Sequence, residues 1–341
     1  MWLQSNTPGK KPKRKIKSVH FQRAKLKHFL QSRKYIYFWT ANFIWLKRKA
    51  LFIINPISGG KRKDRVPDLI QNNLNLDLFS ETIVFSDGVN HAREITNEKK
   101  NDYDLIVAVG GDGTINEIAS ALTCNDIPLG IIPYGSGNGL SRFLGIPMNT
   151  EKAIQNLNNW KIERIDSATL NGLPFFNMAG MGFDAHISEV FSGGMERGFF
   201  NYIKSSVVEF NKYRSQTYNL TIDGVKFKRD AFMISFANSS QYGNNAHISP
   251  GASVQDGLID VCIIKQFPFW RLLEMGLRML TKTSEQTKYV EIMRGKNIIV
   301  EREQDGPVHV DGEPMYMGTS IEIAINSLSL NVMVGENFKK N

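Results

Sequence analysis

Short turns rich in glycine are the segments of this chain whose residue types and spacing could do chemistry. The sharpest is residues 110–114 (GGDGT), which lies between an apolar run and a helical pattern. Glycine lets the backbone approach a ligand closely, and the free N–H groups at the start of the following helix suit phosphate. Asp112 could act through a magnesium ion or accept a proton, while Thr114 and Asn116 could hydrogen-bond phosphate or ribose. The alternative is a tight turn in which Asp112 caps the helix.

Two similar turns follow other apolar runs, at residues 55–60 (NPISGG) and 133–138 (PYGSGN). Ligands of open α/β sheets bind beyond the carboxyl ends of the strands. Each turn alone could equally be a plain loop, but three of them at one sheet edge would converge on one polyphosphate. The chain contains neither the GxxxxGK[ST] pattern of a P-loop nor the GxGxxG pattern of a dinucleotide site.

The elements that must position these turns alternate regularly from residue 49 onward. This alternation predicts a parallel sheet with helices on both faces. The apolar runs indicate strands at residues 50–55, 82–85, 103–109 and 129–132, and the periodic segments indicate helices at 65–74, 90–99, 114–122 and 140–144.

The alternation of strand and helix patterns ends at about residue 165, and the sequence after it predicts a mostly antiparallel β structure. Asp223-Gly224 separates two apolar runs and is a signal for a type I′ hairpin. A single helix is expected at residues 269–280. The predicted strands are residues 175–178, 218–222, 225–228, 231–236, 258–264, 298–301, 308–310, 320–325 and 328–334.

Length and composition limit the class of protein. The chain has 341 residues, which suits two domains. Cys124 and Cys262 are its only cysteines, and they form no CxxC pattern. This spacing indicates neither a disulfide framework nor a zinc site and favours a reducing cytoplasm. No apolar stretch reaches the roughly 18 residues of a membrane span.

The net charge of +9 comes from the first segment, because residues 1–49 are rich in Lys and Arg and contain no Asp or Glu. A basic run at residues 10–17 precedes an aromatic run at residues 35–45. One interpretation of residues 1–48 is an anchor on the inner membrane surface, and the other is an extension outside the fold. Such an arm could also bind nucleic acid, although we expect no nucleic-acid partner.

Six motifs in order identify a family resemblance. The three turns are followed by residues 180–185 (GMGFDA), 256–261 (DGLIDV) and 310–314 (VDGEP). This set resembles the diacylglycerol kinase catalytic-domain family, including bacterial soluble lipid kinases and sphingosine kinase-like proteins, over about residues 49–335.

The resemblance implies a fold with two domains. Residues 49–165 would form an α/β nucleotide-binding domain, similar to those of NAD kinases and phosphofructokinases. Residues 166–335 would form a mostly antiparallel, β-sandwich-like lipid domain, whose last segment may return to the first domain. Residues 1–48 would lie outside this fold.

The resemblance also implies ligand sites. Asp256 would hold Mg²⁺, assisted by backbone oxygens of Ser253 and Leu258, because magnesium prefers hard oxygen ligands. The family usually has Thr where Ser136 stands, and serine keeps the hydroxyl. ATP, the phosphoryl donor, would be surrounded by Asn55, Pro56, Ile57, Ser58, Gly59, Ser86, Gly110, Gly111, Asp112, Gly113, Thr114, Ile115, Asn116 and Ser136.

Three carboxylates are the catalytic residues that the resemblance implies. Glu313 would be the base, Asp112 is the second choice, and Asp311 stands beside Glu313. Residues 242–245 (YGNN) depart from the YGGG that relatives often have. This departure bears on the identity of the lipid acceptor more than on ATP binding.

The expected activity is therefore ATP- and Mg²⁺-dependent transfer of the γ-phosphoryl group to a lipid hydroxyl, on diacylglycerol or a sphingoid base. We expect a cytoplasmic protein, peripheral at the inner membrane face, that could form a homodimer. An NAD kinase is one alternative, because GGDGT occurs there too, but the DGLIDV and VDGEP segments count against it. A catalytically inactive lipid- or nucleotide-binding protein is another, against which the intact GGDGT and the carboxylates count.

Overall fold

The N-terminal half is a parallel sheet flanked by helices, in a computed structural model that describes residues 47–58, 63–192 and 206–339. Its strands lie in the order β2-β1-β3-β4. Every residue of β3 is buried, which explains its unbroken apolar sequence. The strands are β1 (Arg48–Ile54), β2 (Phe79–Phe85), β3 (Leu105–Gly110) and β4 (Asn125–Pro133), and the helices are α1 (Val66–Asn73), α2 (His91–Lys99), α3 (Asp112–Leu122), α4 (Gly139–Phe143) and α5 (Thr150–Leu157).

The C-terminal half is built from β-strands and includes the helices α6 (Phe183–Ser192) and α7 (Leu272–Leu280), and residues 206–210 are helical too. A 3₁₀ turn, Phe269–Arg271, leads into α7. The strands are β5 (Ile162–Leu170), β6 (Leu173–Phe175), β7 (Met178–Gly182), β8 (Gln216–Ile222), β9 (Val225–Ala231), β10 (Met233–Ala237), β11 (Gln241–Gly243), β12 (Ala246–His247), β13 (Ile259–Ile264), β14 (Val290–Gly295), β15 (Asn297–Arg302), β16 (Gly306–Val310), β17 (Glu313–Met317) and β18 (Ser320–Met333).

The last strand connects the two halves. β18 runs parallel to β4 and antiparallel to β5 and β15, so the first sheet continues as β4-β18-β15-β8-β9. A second, antiparallel sheet has the order β14-β13-β10-β7-β16-β17. Side chains from both sheets share one apolar core, such as Val300 and Ile321 from the first and Phe236 and Val261 from the second. The predicted fold class, α/β followed by an antiparallel β-sandwich, is confirmed.

Two hairpins close on an Asp-Gly pair with positive φ at both positions, as a type I′ turn requires. Asp223 and Gly224 have φ angles of 47° and 85°, which confirms the predicted hairpin. Asp311 and Gly312 have φ angles of 48° and 89° and join β16 to β17. The second turn places Glu313 at the first position of β17.

Some predicted elements are wrong in detail. The strand predicted at residues 175–178 is divided between β6 and β7, because backbone N–H groups of Phe176 and Asn177 turn to a carboxylate. The two strands predicted at residues 320–325 and 328–334 are the single strand β18, whose pairing with β5 shifts between Asn326 and Leu330. The helix predicted at residues 269–280 begins as a 3₁₀ turn.

The predicted arm, residues 1–48, lies almost entirely outside the described residues. The boundary predicted between residues 165 and 166 falls within β5, and the division into two domains stays a prediction. In the part of the chain that the structure describes, no helix is both long enough and apolar enough to cross a membrane.

Candidate active site

The predicted ATP-binding turns lie together at one edge of the parallel sheet. β1, β2, β3 and β4 run in the same direction, so their carboxyl ends meet at this edge. The turns that follow these four strands carry the residues predicted to surround ATP. Gly59 lies outside the described residues, and the others lie in or directly after these turns.

The turn after β1 and the turn after β3 are joined by a hydrogen bond, in which Asn55 Nδ2 donates to Thr114 Oγ1 at 3.1 Å. The same asparagine accepts from the backbone N–H of Ile57 through Oδ1, which shapes its own turn. A Cβ on Gly110 would lie 2.5 Å from Thr114 Oγ1, so this contact requires glycine at position 110. The predicted phosphate turn is thus held to its neighbour through side-chain contacts.

The GGDGT and PYGSGN turns also touch each other. A Cβ on Gly111 would lie 3.2 Å from the Gly135 Cα atom, so the two backbones approach closely. Asp112 reaches across this contact, and its Oδ2 accepts from the backbone N–H of Asn138 at 3.0 Å. Asn138 has a φ of 52°, a left-handed conformation that asparagine tolerates.

The carboxyl group of Asp112 has a pKa raised from 3.8 to about 6. Burial is the main cause, and the nearby negative charge of Asp311 adds to it. The backbone N–H groups of Asn138 and Gly139 oppose the rise, because they stabilise the charged form. A raised pKa in a group at a phosphate turn is typical of functional sites.

Asp311 is fully engaged by hydrogen bonds. Its Oδ1 accepts from the backbone N–H groups of Asn177 and Met178, both at 2.9 Å. Its Oδ2 accepts from the N–H of Phe176 at 3.0 Å and from Asn116 Nδ2 at 2.8 Å. Burial raises its pKa although these donors lower it. Asp311 therefore acts as an anchor between α3, the start of β7 and the β16–β17 hairpin.

Glu313 lies against the GGDGT turn. An ideal Cβ on Gly113 would be 3.2 Å from Glu313 Oε1, so the carboxylate rests beside the bare backbone of this glycine. Glu313 is exposed, and no hydrogen bond from the described residues occupies its carboxylate. The structure thus brings Glu313 next to the turn that carries Asp112, although 200 residues separate these motifs in the sequence.

The remaining predicted ATP residues differ in exposure. Ser86 is buried directly after β2, and its N–H donates to the Ile54 carbonyl at 2.9 Å. Ile115 is buried in the first turn of α3. Pro56, Ile57 and Ser136 are exposed and Ser58 is half-buried. Ser136 and Ile57 are thus open to a ligand, whereas Ile115 contributes through packing.

Lys63 is a residue of this site that the sequence analysis did not single out. It is 2% exposed, and its Nζ donates to the carbonyls of Pro56, at 3.4 Å, and Ser58. The ammonium group also lies 5.2 Å from the centre of the Tyr134 ring. Burial lowers its pKa. Lys63 thus contacts both the NPISGG turn and the PYGSGN turn. No local sequence pattern marks this role.

The YGNN segment packs on the PYGSGN turn. Asn244 Nδ2 donates to the Ser136 carbonyl at 3.1 Å, and a Cβ on Gly243 would lie 2.8 Å from the Gly137 carbonyl oxygen. Asn244 and Asn245 have φ angles of 47° and 63°. These are conformations that glycine adopts without strain and asparagine tolerates. The departure from YGGG therefore keeps the backbone shape.

A buried polar cluster holds Tyr242, the first residue of that segment. Tyr242 OH donates to Asp184 Oδ2 at 3.1 Å, and His309 Nε2 lies 3.1 Å from the same oxygen. Ser235 Oγ also donates to it at 3.2 Å. Gly180 makes room, since a Cβ there would lie 2.4 Å from Asp184 Oδ2. This cluster gives the GMGFDA motif a structural role.

The predicted metal ligands lie in the turn before β13. Asp256 is exposed, and its Oδ1 accepts from the N–H of Leu258 at 3.1 Å, which turns the carboxylate toward this backbone. Partial desolvation of its carboxyl group raises the pKa of Asp256, and the charges of Asp260 and Asp166 add to the rise. Such negative charge beside backbone oxygens fits a hydrated magnesium ion. No group of three or more His, Cys, Asp or Glu side chains forms a metal cluster in the described ranges.

Two family models match this chain, one for each half. Residues 49–170 match the diacylglycerol kinase catalytic domain. Residues 177–333 match the YegS C-terminal NAD kinase beta sandwich-like domain. Together these matches cover most of the described residues, and they confirm the resemblance seen in the six motifs.

The chain is similar to proteins that are named diacylglycerol kinases. A diacylglycerol kinase of Bacillus subtilis is 29% identical over 220 residues, covering 62% of this chain and 72% of that protein. A diacylglycerol kinase of Staphylococcus saprophyticus is 26% identical over 277 residues, covering 79% and 90%. The crystal structure of a diacylglycerol kinase from Bacillus anthracis superposes with a TM-score of 0.70 and 24% identity, covering 85% and 98%, which shows that the fold is shared.

Proposed function

Because the chain belongs to the diacylglycerol kinase catalytic-domain family, we propose that it transfers the γ-phosphoryl group of ATP to a hydroxyl group of a lipid, with diacylglycerol as the first substrate to test. One observation carries the proposal: the Glu313 carboxylate rests beside Gly113, at the edge where the glycine-rich turns meet. The turn predicted to bind phosphate and an exposed carboxylate are thus neighbours. Related proteins named diacylglycerol kinases support the choice of lipid.

The turns provide a place for the polyphosphate. The N-terminus of α3 offers backbone N–H groups and a partial positive charge. Asp112 is turned toward the 138–139 backbone by its hydrogen bonds. Asn55 holds Thr114 from the other side. In this proposal, these contacts fix the turn so that ATP binds a preformed surface and its γ-phosphorus points toward Glu313.

Glu313 is the residue that we assign as the general base. It takes the proton of the lipid hydroxyl as the new O–P bond forms and the bond from phosphorus to the ADP oxygen breaks. Asp311 suits this task less well, because four donors already occupy its oxygens. We assign Asp311 and Asn116 as positioning residues that set where the hairpin carries Glu313.

Magnesium belongs to this proposal through ATP and through the turn at Asp256. When bound, it would offset negative charge on the phosphates and hold the Ser253–Leu258 backbone. The chain's own part at that turn is to orient the Asp256 carboxylate, which the Leu258 N–H does. Asp166 stabilises the same turn, because its Oδ2 accepts from the Gly257 N–H at 2.8 Å.

The test of this proposal is transfer of label from [γ-³²P]ATP with magnesium to diacylglycerol, sphingosine, ceramide and NAD, each offered separately, the lipids in detergent micelles. We expect label in a lipid and its loss in Glu313→Ala and Asp112→Ala variants. Val225→Ala serves as the control, because Val225 is an exposed side chain that is not among the predicted ATP-binding or catalytic residues. Label in NAD alone would contradict the lipid assignment, and ATP binding without any transfer would indicate an inactive binding protein.

A further inference from the structure

Helix α7 uses only one of its faces to join the protein. Met275 is buried, and Leu272 and Met279 are partly buried against the same apolar cluster. These three residues follow helical spacing and pack toward an aromatic core that includes Phe232 and Phe267. The inward face therefore accounts for the attachment of the helix.

The opposite face is apolar as well. Trp270, Leu273, Leu277 and Leu280 are 79%, 75%, 53% and 54% exposed. The spacing of the three leucines places them along one side of the helix, and Trp270 lies in the 3₁₀ turn that leads into it. We call these four residues the outer stripe. A continuous row of large exposed apolar side chains marks an interaction surface, since single exposed leucines are common but rows are not.

The segment that carries the outer stripe has an excess of basic residues. Residues 265–288 contain five Lys or Arg residues and two Glu residues. Glu274 is already paired, with Arg271 at 2.9 Å and with Arg278 at 2.9 Å. Lys282 and Lys288 are exposed at the C-terminal side of α7. The surface thus combines apolar tips and one tryptophan with an excess of positive charge.

We propose that the outer stripe docks on the surface of a membrane that contains anionic lipids. Leucine and tryptophan side chains would enter the boundary between head groups and acyl chains, and the basic residues would meet the lipid phosphates. A second copy of the same surface fits less well, because the basic residues would face each other. The inference rests on the proposed function, in which the acceptor is a lipid that resides in such a membrane.

Vesicle partition of the full chain tests the docking surface. Vesicles of phosphatidylcholine with 30% phosphatidylglycerol would be compared with phosphatidylcholine alone, for wild type, the double variant Leu273→Ser/Leu277→Ser, and Val225→Ser. Val225 is the control, since it is 57% exposed in the β8–β9 hairpin and does not belong to the outer stripe. We expect the double variant to bind anionic vesicles at least about tenfold more weakly, and Val225→Ser to bind like wild type. Equal binding by all three proteins would overturn the proposal.

Residues 1–46 are basic and could bind vesicles independently, so a second readout is local to α7. Brominated lipid should quench the part of the tryptophan fluorescence that is lost in Trp270→Phe. Bound protein without this quenching would place the contact elsewhere and overturn the proposal. Light scattering gives a further outcome. If the wild type is a dimer and the double variant a monomer, the proposal is overturned, and the outer stripe is a contact between two copies of the chain.

Activity measurements separate this proposal from the proposed function. With a water-soluble short-chain diacylglycerol, the double variant should phosphorylate at the wild-type rate, whereas with vesicle-bound substrate its rate should fall about tenfold. Quenching at Trp270 without transfer to any lipid would contradict the proposed function and leave the docking surface supported. Equal vesicle rates for both proteins would contradict docking and leave the kinase assignment intact.

Discussion

The side-chain amide of Asn116 donates a hydrogen bond of 2.8 Å to the carboxylate of Asp311, which is 195 residues away in the sequence. This bond joins helix α3, which starts at the GGDGT turn, to the hairpin that carries Glu313. The relative position of the GGDGT turn and the proposed base therefore depends on this contact, on a second bond of 2.9 Å that Asn116 Nδ2 donates to the Pro174 carbonyl, and on the surrounding backbone.

Replacing Asn116 by alanine should loosen this connection. We expect kcat to fall about tenfold or more because Glu313 loses its fixed position, and the free energy of unfolding to fall by about 2 kcal/mol because a hydrogen bond to a charged group is lost. Steady-state kinetics and urea unfolding measure the two effects. Ser120→Ala is the control, since it removes only the 3.3 Å bond to Asn116 Oδ1. Unchanged kcat in Asn116→Ala would contradict the positioning role.

Asp311→Asn should act on stability first. An amide offers one acceptor oxygen where three backbone N–H groups and the Asn116 amide now donate, so donors would face an NH₂ group. We expect the free energy of unfolding to drop by about 3 kcal/mol, measured by denaturant titration. A variant with normal stability and no activity would instead indicate that Asp311 is the base.

Gly113→Ala should lower activity without lowering stability, in contrast to Asp311→Asn. The new methyl group would lie 3.2 Å from Glu313 Oε1 and displace the carboxylate. We expect kcat to fall about tenfold, while the melting temperature stays equal or rises because alanine favours a helix by up to about 1 kcal/mol. Gly88→Ala is the matched control, because nothing lies within 4 Å of its added Cβ. Normal kcat in Gly113→Ala would show that Glu313 need not occupy this position.

Asp112 should make stability depend on pH. Its pKa rises from 3.8 to about 6 on folding, so its contribution to stability is fully present below pH 4 and is lost as the pH rises through 6. Asp112→Asn does not titrate, and its stability relative to wild type should therefore increase by up to about 3 kcal/mol between pH 4 and pH 7.5. Urea unfolding at both pH values measures this change.

The control for the Asp112 experiment is the exposed carboxyl group of Asp77, replaced by asparagine. This substitution shows how far the loss of an exposed carboxyl group by itself changes stability at the two pH values. If the stability difference between Asp112→Asn and wild type did not change with pH, the raised pKa of Asp112 would be contradicted. If the stability of Asp112→Asn relative to wild type fell as the pH rises, the pKa of Asp112 would be lowered on folding instead.

Local signals in the sequence were sufficient for much of the fold. Buried parallel strands have continuous apolar sequences, and glycine turns follow them, so the meeting of these turns at one sheet edge could be predicted from residues 50–138. The Asp223-Gly224 hairpin followed from its turn chemistry alone. Both features depend on residues that are neighbours in the chain.

Contacts between distant residues explain what the sequence analysis missed. The strand predicted at residues 175–178 is interrupted because its N–H groups bind Asp311. Lys63 supports the first turn from a position that has no motif. The position of β18 between β4 and β15 also results from pairing of strands that are far apart in the sequence, and the periodicity of apolar residues does not reveal such pairing. Such contacts appear only when the chain is folded.

The most direct test of the account is the rate of phosphoryl transfer from ATP to micellar diacylglycerol by Glu313→Gln beside wild type. Glutamine has nearly the same shape but cannot take the hydroxyl proton. We predict a rate at least about 100-fold lower, with ATP affinity and unfolding unchanged. Wild-type transfer by Glu313→Gln would contradict the assignment of Glu313 as the base and, with it, the proposed geometry of the site.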